Sequence, residues 1–219
     1  VLCQLTGEVR SLFFPKSKAM DFSDINQLPS TLQTVVKYQH LSTGQSLFHR
    51  NEEVRTLYAV KSGQIRLLHY TKSGQSISHY AIYSGEICAE IALFLDAYTC
   101  SAIAEEPTQL LIFPKQEFLS TLRQYPDFAI AFMKQLSYRL HTTKVMVELR
   151  SIRSAQERVL HYLRLIVPPE KNTIVLVQPL KNIAADLSIS PEVLSRTLTQ
   201  LVSDGAIARE KRRITLLES

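Results

Sequence analysis

The chain contains no tryptophan, only six glycines and only three cysteines in 219 residues. Cys3, Cys88 and Cys100 are too few and too scattered for a disulfide framework, and no Cys-x-x-Cys pair offers a zinc site or a redox dithiol. No apolar run approaches the roughly 18 residues that a membrane-spanning helix requires. The opening stretch VLCQLTGEVRSLFF lacks the cationic segment and apolar block of a secretory signal. These absences point to a cytoplasmic chain with no membrane partner. A glycine-rich phosphate cradle, a metal-ligand spacing and a nucleophile–base constellation are missing too, which argues against an enzyme. Residues 1–19 precede the first methionine, Met20, and are expected to form an extension with little structural role.

What is present leans mildly towards a polyanionic partner. The formal net charge is +5, and it is unevenly spread. Residues 1–150 carry 15 Lys and Arg against 13 Asp and Glu, whereas residues 151–219 carry 10 against 7. Four of those ten lie between Arg209 and Arg213.

Three stretches have three different periods. Between Leu41 and Phe113, short runs rich in β-branched and aromatic residues (Leu57–Val60, Gln64–Tyr70, Gln75–Ile82, Gln109–Phe113) alternate with Ser-Gly turns at Ser62-Gly63, Ser73-Gly74 and Ser84-Gly85. The three turn glycines fall 11 residues apart, which fits a meandering antiparallel barrel or sandwich. After Pro126 the period becomes 3.5: Ala129, Met133, Leu136, Leu140, Thr143 and Val147 follow at intervals of 4, 3, 4, 3 and 4 without an interrupting Pro or Gly. Such a stripe suits a two-helix seam, although a helix packed on its own barrel gives a similar pattern. A new helix opens at Ser154, with Glu157 three residues on and an apolar face of Val159, Leu160, Leu163 and Ile166. The domain boundary is placed at Ser151–Ser154. Pro168-Pro169 ends this helix, and a short strand, Thr173 to Val177, leads on to Pro179.

Residues 180–203 read as two short helices joined by a tight turn. The first, about Leu180 to Leu187, has Ile183, Ala184 and Leu187 as its inner face, and Ser188-Ile189 makes the turn. The second has Ser190 as N-cap, Pro191 at the first helical position and Glu192 in the first turn, where the helix dipole favours it. Leu194, Leu198 and Leu201 form its inner stripe, so Glu192, Ser195, Arg196 and Thr199 project from the other side. In a helix-turn-helix those residues meet base edges in the major groove. Arg196 can donate two hydrogen bonds to a guanine, Glu192 can accept from a cytosine amine, and Ser195 can bond a base or a phosphate. Ser190 and Thr199 are the phosphate-anchoring candidates on this helix. Asp204-Gly205 ends the helix. Two strands, Ala206 to Ala208 and Ile214 to Leu217, then enclose a basic wing tip whose Lys211, Arg212 and Arg213 are placed to neutralise phosphates.

This order of elements, together with several strings, resembles the CRP/FNR superfamily of bacterial transcription regulators over about residues 28–217. The strings are Leu57-Tyr58 with Val60 and Ser62-Gly63; Gly85-Glu86 with Glu90-Ile91-Ala92-Leu93-Phe94; Ser154-Ala155-Gln156-Glu157-Arg158-Val159; and Ser190-Pro191-Glu192-Val193-Leu194-Ser195-Arg196. The recognition-helix pattern Glu-x-x-Ser-Arg is similar to that of the FNR and DNR branch. The resemblance implies an α+β fold with an N-terminal antiparallel β-roll, a cyclic-nucleotide-binding-like jelly roll, at 21–125. A long dimerisation helix at 126–151 and a winged helix-turn-helix at 152–219 would follow. It further implies a homodimer that binds double-stranded DNA at an inverted repeat with a TTGAT-like half-site. If the chain is an activator, RNA polymerase would be a further partner. Ser188 and Glu210-Lys211 stand where the family commonly has glycine.

The family's cyclic-nucleotide cassette reads Gly-Glu-x-[Gly/Ala]-Leu followed by Arg-[Ser/Thr]-Ala, its arginine pairing with the cyclic phosphate. Here Glu90 is kept, but Cys100-Ser101-Ala102 puts cysteine where that arginine belongs. A phosphate buried without a cation costs several kcal/mol, so cyclic AMP is disfavoured. An iron–sulfur cluster needs four cysteine ligands and is disfavoured more strongly. Haem stays open, with His69 and His79 in the barrel, as does a thiol sensor built from Cys88 and Cys100. The effector pocket is expected to involve Glu90, Cys100, Ser101, Thr142 and Thr143, and a signal there would shift the dimer between competent and incompetent arrangements. The dimer seam is assigned to Met133, Leu136, Leu140, Thr143 and Val147. The rival from another class is a nucleotide- or protein-binding regulatory subunit that does not bind DNA.

Overall fold

The computed structural model describes residues 20–70, 76–168, 171–176 and 179–217. The N-terminal extension, the Ser73-Gly74 turn, Pro169 and Val177 lie outside the described residues. The chain divides into two compact units, whose boundary falls between Gln135 and Leu136, inside the long helix.

In the first unit, eight strands form two four-stranded antiparallel sheets. One is ordered β1 (Lys37–Leu41), β8 (Thr108–Pro114), β3 (Thr56–Ser62), β6 (Ile87–Cys88). The other is ordered β2 (Ser46–Phe48), β7 (Ser101–Ala104), β4 (Gln64–Tyr70), β5 (Ser76–Tyr83). Their shared core holds Leu41, Phe48, Tyr58, Val60, Ile65, Ile82, Cys88, Cys100, Ala102 and Leu110. The turn between β3 and β4 depends on Gly63: its φ is +86°, and a Cβ there would stand 2.6 Å from the Pro107 carbonyl oxygen. Thr108 Oγ1 accepts from the Gln64 amide at 3.1 Å across the same corner.

A short helix α1 (Ser30–Gln33) precedes the strands; α2 (Lys115–Gln124) and α3 (Pro126–Ser151) follow them. Phe118 of α2 meets Phe113, Phe128 and Phe132 with ring centroids 5.5, 5.5 and 5.4 Å apart, and Phe22 meets Phe128 at 5.5 Å. Each such pair adds about 0.5–1.5 kcal/mol beyond its buried area. This aromatic cluster fixes the first half of α3 on the barrel, and Gln135 Nε2 adds a bond to the Gly85 carbonyl at 3.4 Å.

The long helix carries two apolar faces. Phe128, Phe132, Thr142, Met146 and Leu149 are buried within the chain. Met133, Leu140 and Val147, seven residues apart, are 55%, 57% and 57% exposed, with Ala129, Leu136 and Thr143 half-buried between them. The stripe expected from the 3.5-residue period is therefore the face that the chain leaves uncovered.

The second unit continues with α4 (Ala155–Ile166), capped by Ser154 Oγ, which accepts from the Glu157 amide at 3.3 Å. Val159, Tyr162, Leu163 and Ile166 are its buried residues. Tyr162 is the fully buried member, and Leu160, expected on that face, is half-buried. Then come β9 (Thr173–Val175), α5 (Leu180–Asp186), α6 (Pro191–Ser203), β10 (Ile207–Glu210) and β11 (Arg213–Leu216), with the strands ordered β10-β11-β9. The β10–β11 hairpin is tighter than its sequence suggests. Glu210 pairs with Arg213, and only Lys211 and Arg212 form the loop.

Candidate nucleic-acid interface and barrel site

The second helix of the helix-turn-helix begins at its cap. Ser190 Oγ accepts from the Val193 amide at 3.2 Å, and Pro191 fills the first helical position, whose missing N–H is not needed there. Leu194, Leu198 and Leu201 are each 1% exposed, and Thr197 is buried beside them. Burying three leucines of this kind contributes about 1.5–3 kcal/mol apiece. That anchorage leaves Glu192, Ser195, Arg196 and Thr199 exposed on the opposite side.

The exposed face is organised locally. A hydrogen bond from Ser190 is the main reason that the Glu192 carboxyl is held below its ordinary range, and the Arg196 charge one turn away acts in the same direction. Thr199 Oγ1 donates to the Ser195 carbonyl at 3.1 Å, so its hydroxyl bonds its own helix. Ser190 likewise has its oxygen engaged in capping.

The turn between the two helices is held by its own backbone and by side chains from outside the motif. Ser188 adopts φ +54°, the left-handed conformation that favours glycine. Arg158 Nη1 donates to the Leu187 carbonyl at 2.8 Å, while its Nε and Nη2 donate to the Ile152 carbonyl at 2.9 and 2.6 Å. Arg150, in the last turn of α3, donates from Nε to the Asp186 carbonyl at 2.9 Å and from Nη2 to the Ala185 carbonyl at 3.4 Å. Gln156 and Gln200 both donate to Asp204, the C-cap of α6, which ties α4 to the end of that helix. Among these outside residues the advance sign was the Ser-Ala-Gln-Glu-Arg-Val string, which holds both Gln156 and Arg158.

On the wing, Arg209, Lys211, Arg212 and Arg213 are exposed, and Lys211 takes φ +53° where glycine is common in the family. Glu210 is also exposed in the pair facing Arg213, so one acidic residue sits among four basic ones and the tip keeps a net positive charge.

In the barrel, a 3-10 turn (Glu90–Phe94) follows Ala89, which sits at φ +67° with its side chain in the buried core. Cys100 is 8% exposed in that same apolar cluster. Burial pushes its thiol above the ordinary value, which works against a reactive thiolate. Cys88 is fully buried, and neither Cys88 nor Cys100 is in a disulfide. Ser101 Oγ accepts from the Arg50 amide at 3.0 Å. Nearby, Phe48 stacks on Tyr98 at 4.0 Å and lies 5.8 Å from the Tyr58 ring. Thr56 Oγ1 donates to Tyr58 Oη at 2.8 Å, and Tyr98 Oη donates to the Thr56 carbonyl at 2.8 Å. Desolvation raises the Tyr58 hydroxyl far above its ordinary value, so it stays neutral.

These residues do not fit a cyclic nucleotide. A buried neutral thiol, Cys100, stands where the family's cassette has its phosphate-pairing arginine, and an alanine Cβ occupies the left-handed residue that opens the cassette. Thr142 and Thr143 belong to the second unit, where their hydroxyls donate to the Tyr138 and Arg139 carbonyls at 2.8 Å each. His69 lies on β4, and the pairing of β4 with β5 is irregular where His79 falls, between Ser78 and Tyr80. Among the described residues no His, Cys, Asp and Glu cluster could hold a metal ion, and no helix is long and apolar enough to cross a membrane.

Comparisons with known proteins agree with this architecture. The model of the cyclic nucleotide-binding domain matches residues 38–125. The chain is 27% identical over 181 residues to the Cyclic AMP receptor protein of Thermus thermophilus, covering 80% of this chain and 83% of that one. It is 25% identical to the solved structure of DNR from Pseudomonas aeruginosa, with a TM-score of 0.50 and coverage of 98% and 96%. CooA from Carboxydothermus hydrogenoformans shares the fold at a TM-score of 0.68 and 18% identity, over 92% and 93% of the two chains. The barrel is thus of the cyclic-nucleotide-binding class. Over most of its length the chain is similar to transcription regulators of the CRP/FNR superfamily, and its likeness to DNR fits the FNR/DNR branch.

Proposed function

We propose that the protein is a cytoplasmic, homodimeric regulator that binds duplex DNA at an inverted repeat with a TTGAT-like half-site, and that it is not an enzyme. The observation that carries this reading is the face of α6. Glu192, Ser195 and Arg196 are exposed in adjacent turns of a helix whose other side is fully buried. Arg196 reads a guanine, Glu192 a cytosine, and Ser195 a base or phosphate. Lys211, Arg212 and Arg213 neutralise phosphates beside them, and the N-terminal turn with Ser190 approaches another.

The division of labour is a sensor barrel at 21–125, a dimerisation helix at 126–151 and a reader at 152–219. The uncovered heptad of Met133, Leu140 and Val147 supports pairing of two copies. The barrel senses something other than a cyclic nucleotide. If the regulator activates, RNA polymerase is its further partner.

The test is fluorescence anisotropy on a palindromic duplex and a scrambled duplex of equal length. The intact protein is expected to prefer the palindrome. Arg196→Ala should remove most of that preference, about 1–3 kcal/mol per half-site, and leave weak, salt-sensitive binding. Equal losses on both duplexes would contradict base reading by Arg196.

A further inference from the structure

We propose that Arg150 is a positioning residue for DNA recognition, locking the last turn of the long helix to the end of the first helix of the helix-turn-helix and so fixing the half-site spacing that the dimer accepts. The proposal rests on the DNA-binding reading above and concerns how the reader is aimed.

A helix leaves its last four carbonyls without partners inside the helix. At the end of α5 the turn supplies two of them. Ile189 N donates to Ala184 O at 3.0 Å, and Ser188 N donates to Ala185 O at 3.1 Å. The next two carbonyls are met from outside the motif. Asp186 O receives Arg150 Nε and Leu187 O receives Arg158 Nη1. The two arginines come from opposite sides of the connector Ile152–Ser154, one from the end of α3 and the other from the first turn of α4.

Arg158 also grips the connector itself through the Ile152 carbonyl. Cationic side chains at a helix C-terminus interact favourably with its dipole, and a planar guanidinium holds direction as well as distance. The motif is thereby bonded to both neighbours at a point where the chain could otherwise bend. A rotation of the last turn of α3 must carry α5, and with it α6, because Arg150 bridges them directly. Removing that bridge leaves Arg158 to hold the turn, so the helix-turn-helix stays folded but its angle to the long helix relaxes.

The experiment compares the intact protein with Arg150→Met, which keeps the alkyl stem but no donors, and with Arg150→Lys, which keeps charge. Each is titrated by anisotropy against inverted repeats with the optimal spacer, with spacers one or two base pairs longer or shorter, and against a single half-site. Hydrogen exchange of the DNA-free proteins is followed at residues 152–154 and 185–189. The expected result is that Arg150→Met loses discrimination between spacers by about tenfold, with half-site affinity unchanged and faster exchange at the connector. Arg150→Lys should recover part of the discrimination. Unchanged spacer discrimination in Arg150→Met overturns the proposal. So does an equal loss at every spacer and at the half-site, which is what a purely structural role would give. If the intact protein itself shows no preference for the palindrome, the DNA-binding reading fails and this proposal falls with it.

Discussion

Ser190 caps the recognition helix and also holds the Glu192 carboxyl below its ordinary range. A depressed carboxylate pKa means that the ionised form persists as the pH falls through the ordinary glutamate range, about 4.3 in model peptides. Its stabilising share is present above that range and is lost only when the pH falls through the lower folded value. A carbon-detected NMR titration should therefore place the Glu192 midpoint below the ordinary value. Ser190→Ala should move it upward and cost about 1 kcal/mol of stability through the lost cap. An unmoved midpoint in that variant would separate Glu192 from Ser190.

The wing makes a different prediction. Lys211→Ala and Arg212→Ala should weaken binding to palindromic and scrambled duplexes alike. Each should also flatten the plot of log affinity against log salt by about 1.8, the signature of two lost phosphate contacts, one per subunit. A selective loss on the palindrome alone would place these residues against bases.

Leu140 stands in the middle of the uncovered heptad at 57% exposure. In a two-fold pair its exposed part is buried twice, for about 2–3 kcal/mol in all, since full burial of a leucine is worth about 1.5–3 kcal/mol. Leu140→Glu should weaken dimerisation by at least about a hundredfold in analytical ultracentrifugation. Far-ultraviolet circular dichroism of the subunit should be little changed. A variant that stays dimeric at micromolar concentration would move the interface elsewhere.

Ser188 pays a conformational cost at φ +54°. A non-glycine residue in the left-handed region costs roughly 1–2 kcal/mol, partly offset in a glycine variant by greater freedom of the unfolded chain. Ser188→Gly is expected to stabilise the reader by about 0.5–1 kcal/mol, seen as a rise in urea midpoint with an unchanged slope.

The barrel predicts indifference to cyclic AMP. A ligand at a hundred times its Kd stabilises by about 2.7 kcal/mol, several degrees in Tm for a domain of this size. Millimolar cyclic AMP should leave the Tm unchanged, and Cys100 should react with a maleimide far more slowly than a free thiol. A clear upward shift in Tm would restore the nucleotide reading.

Much of the reader was legible because its signals are local. Ser190, Pro191 and Glu192 announce a helix start within three residues, and the leucines at 194, 198 and 201 give its buried face from spacing alone. The barrel turns at Gly63 and Gly85 announced themselves in the same way. The second face of the long helix did not. Phe128, Phe132, Thr142, Met146 and Leu149 interleave with the heptad, and in one dimension the two stripes merge. The roles of Arg150 and Arg158 were hidden for another reason. Their acceptors on the turn are backbone carbonyls 29 to 36 residues away, and a carbonyl leaves no mark on the sequence. The wing was read too loosely because left-handed Lys211 closes a two-residue loop without the glycine that usually signals one.

A rod dressed on two sides has little room to drift. On α3 the chain's own core claims one strip and the heptad occupies another. What is left is a third strip, including Lys134, His141 and Glu148 at seven-residue intervals and Ser137 and Lys144 beside them, all exposed. Substitutions that homologues tolerate on this helix should gather there, and a tag or fluorophore meant to report on the helix without disturbing it belongs on the same strip.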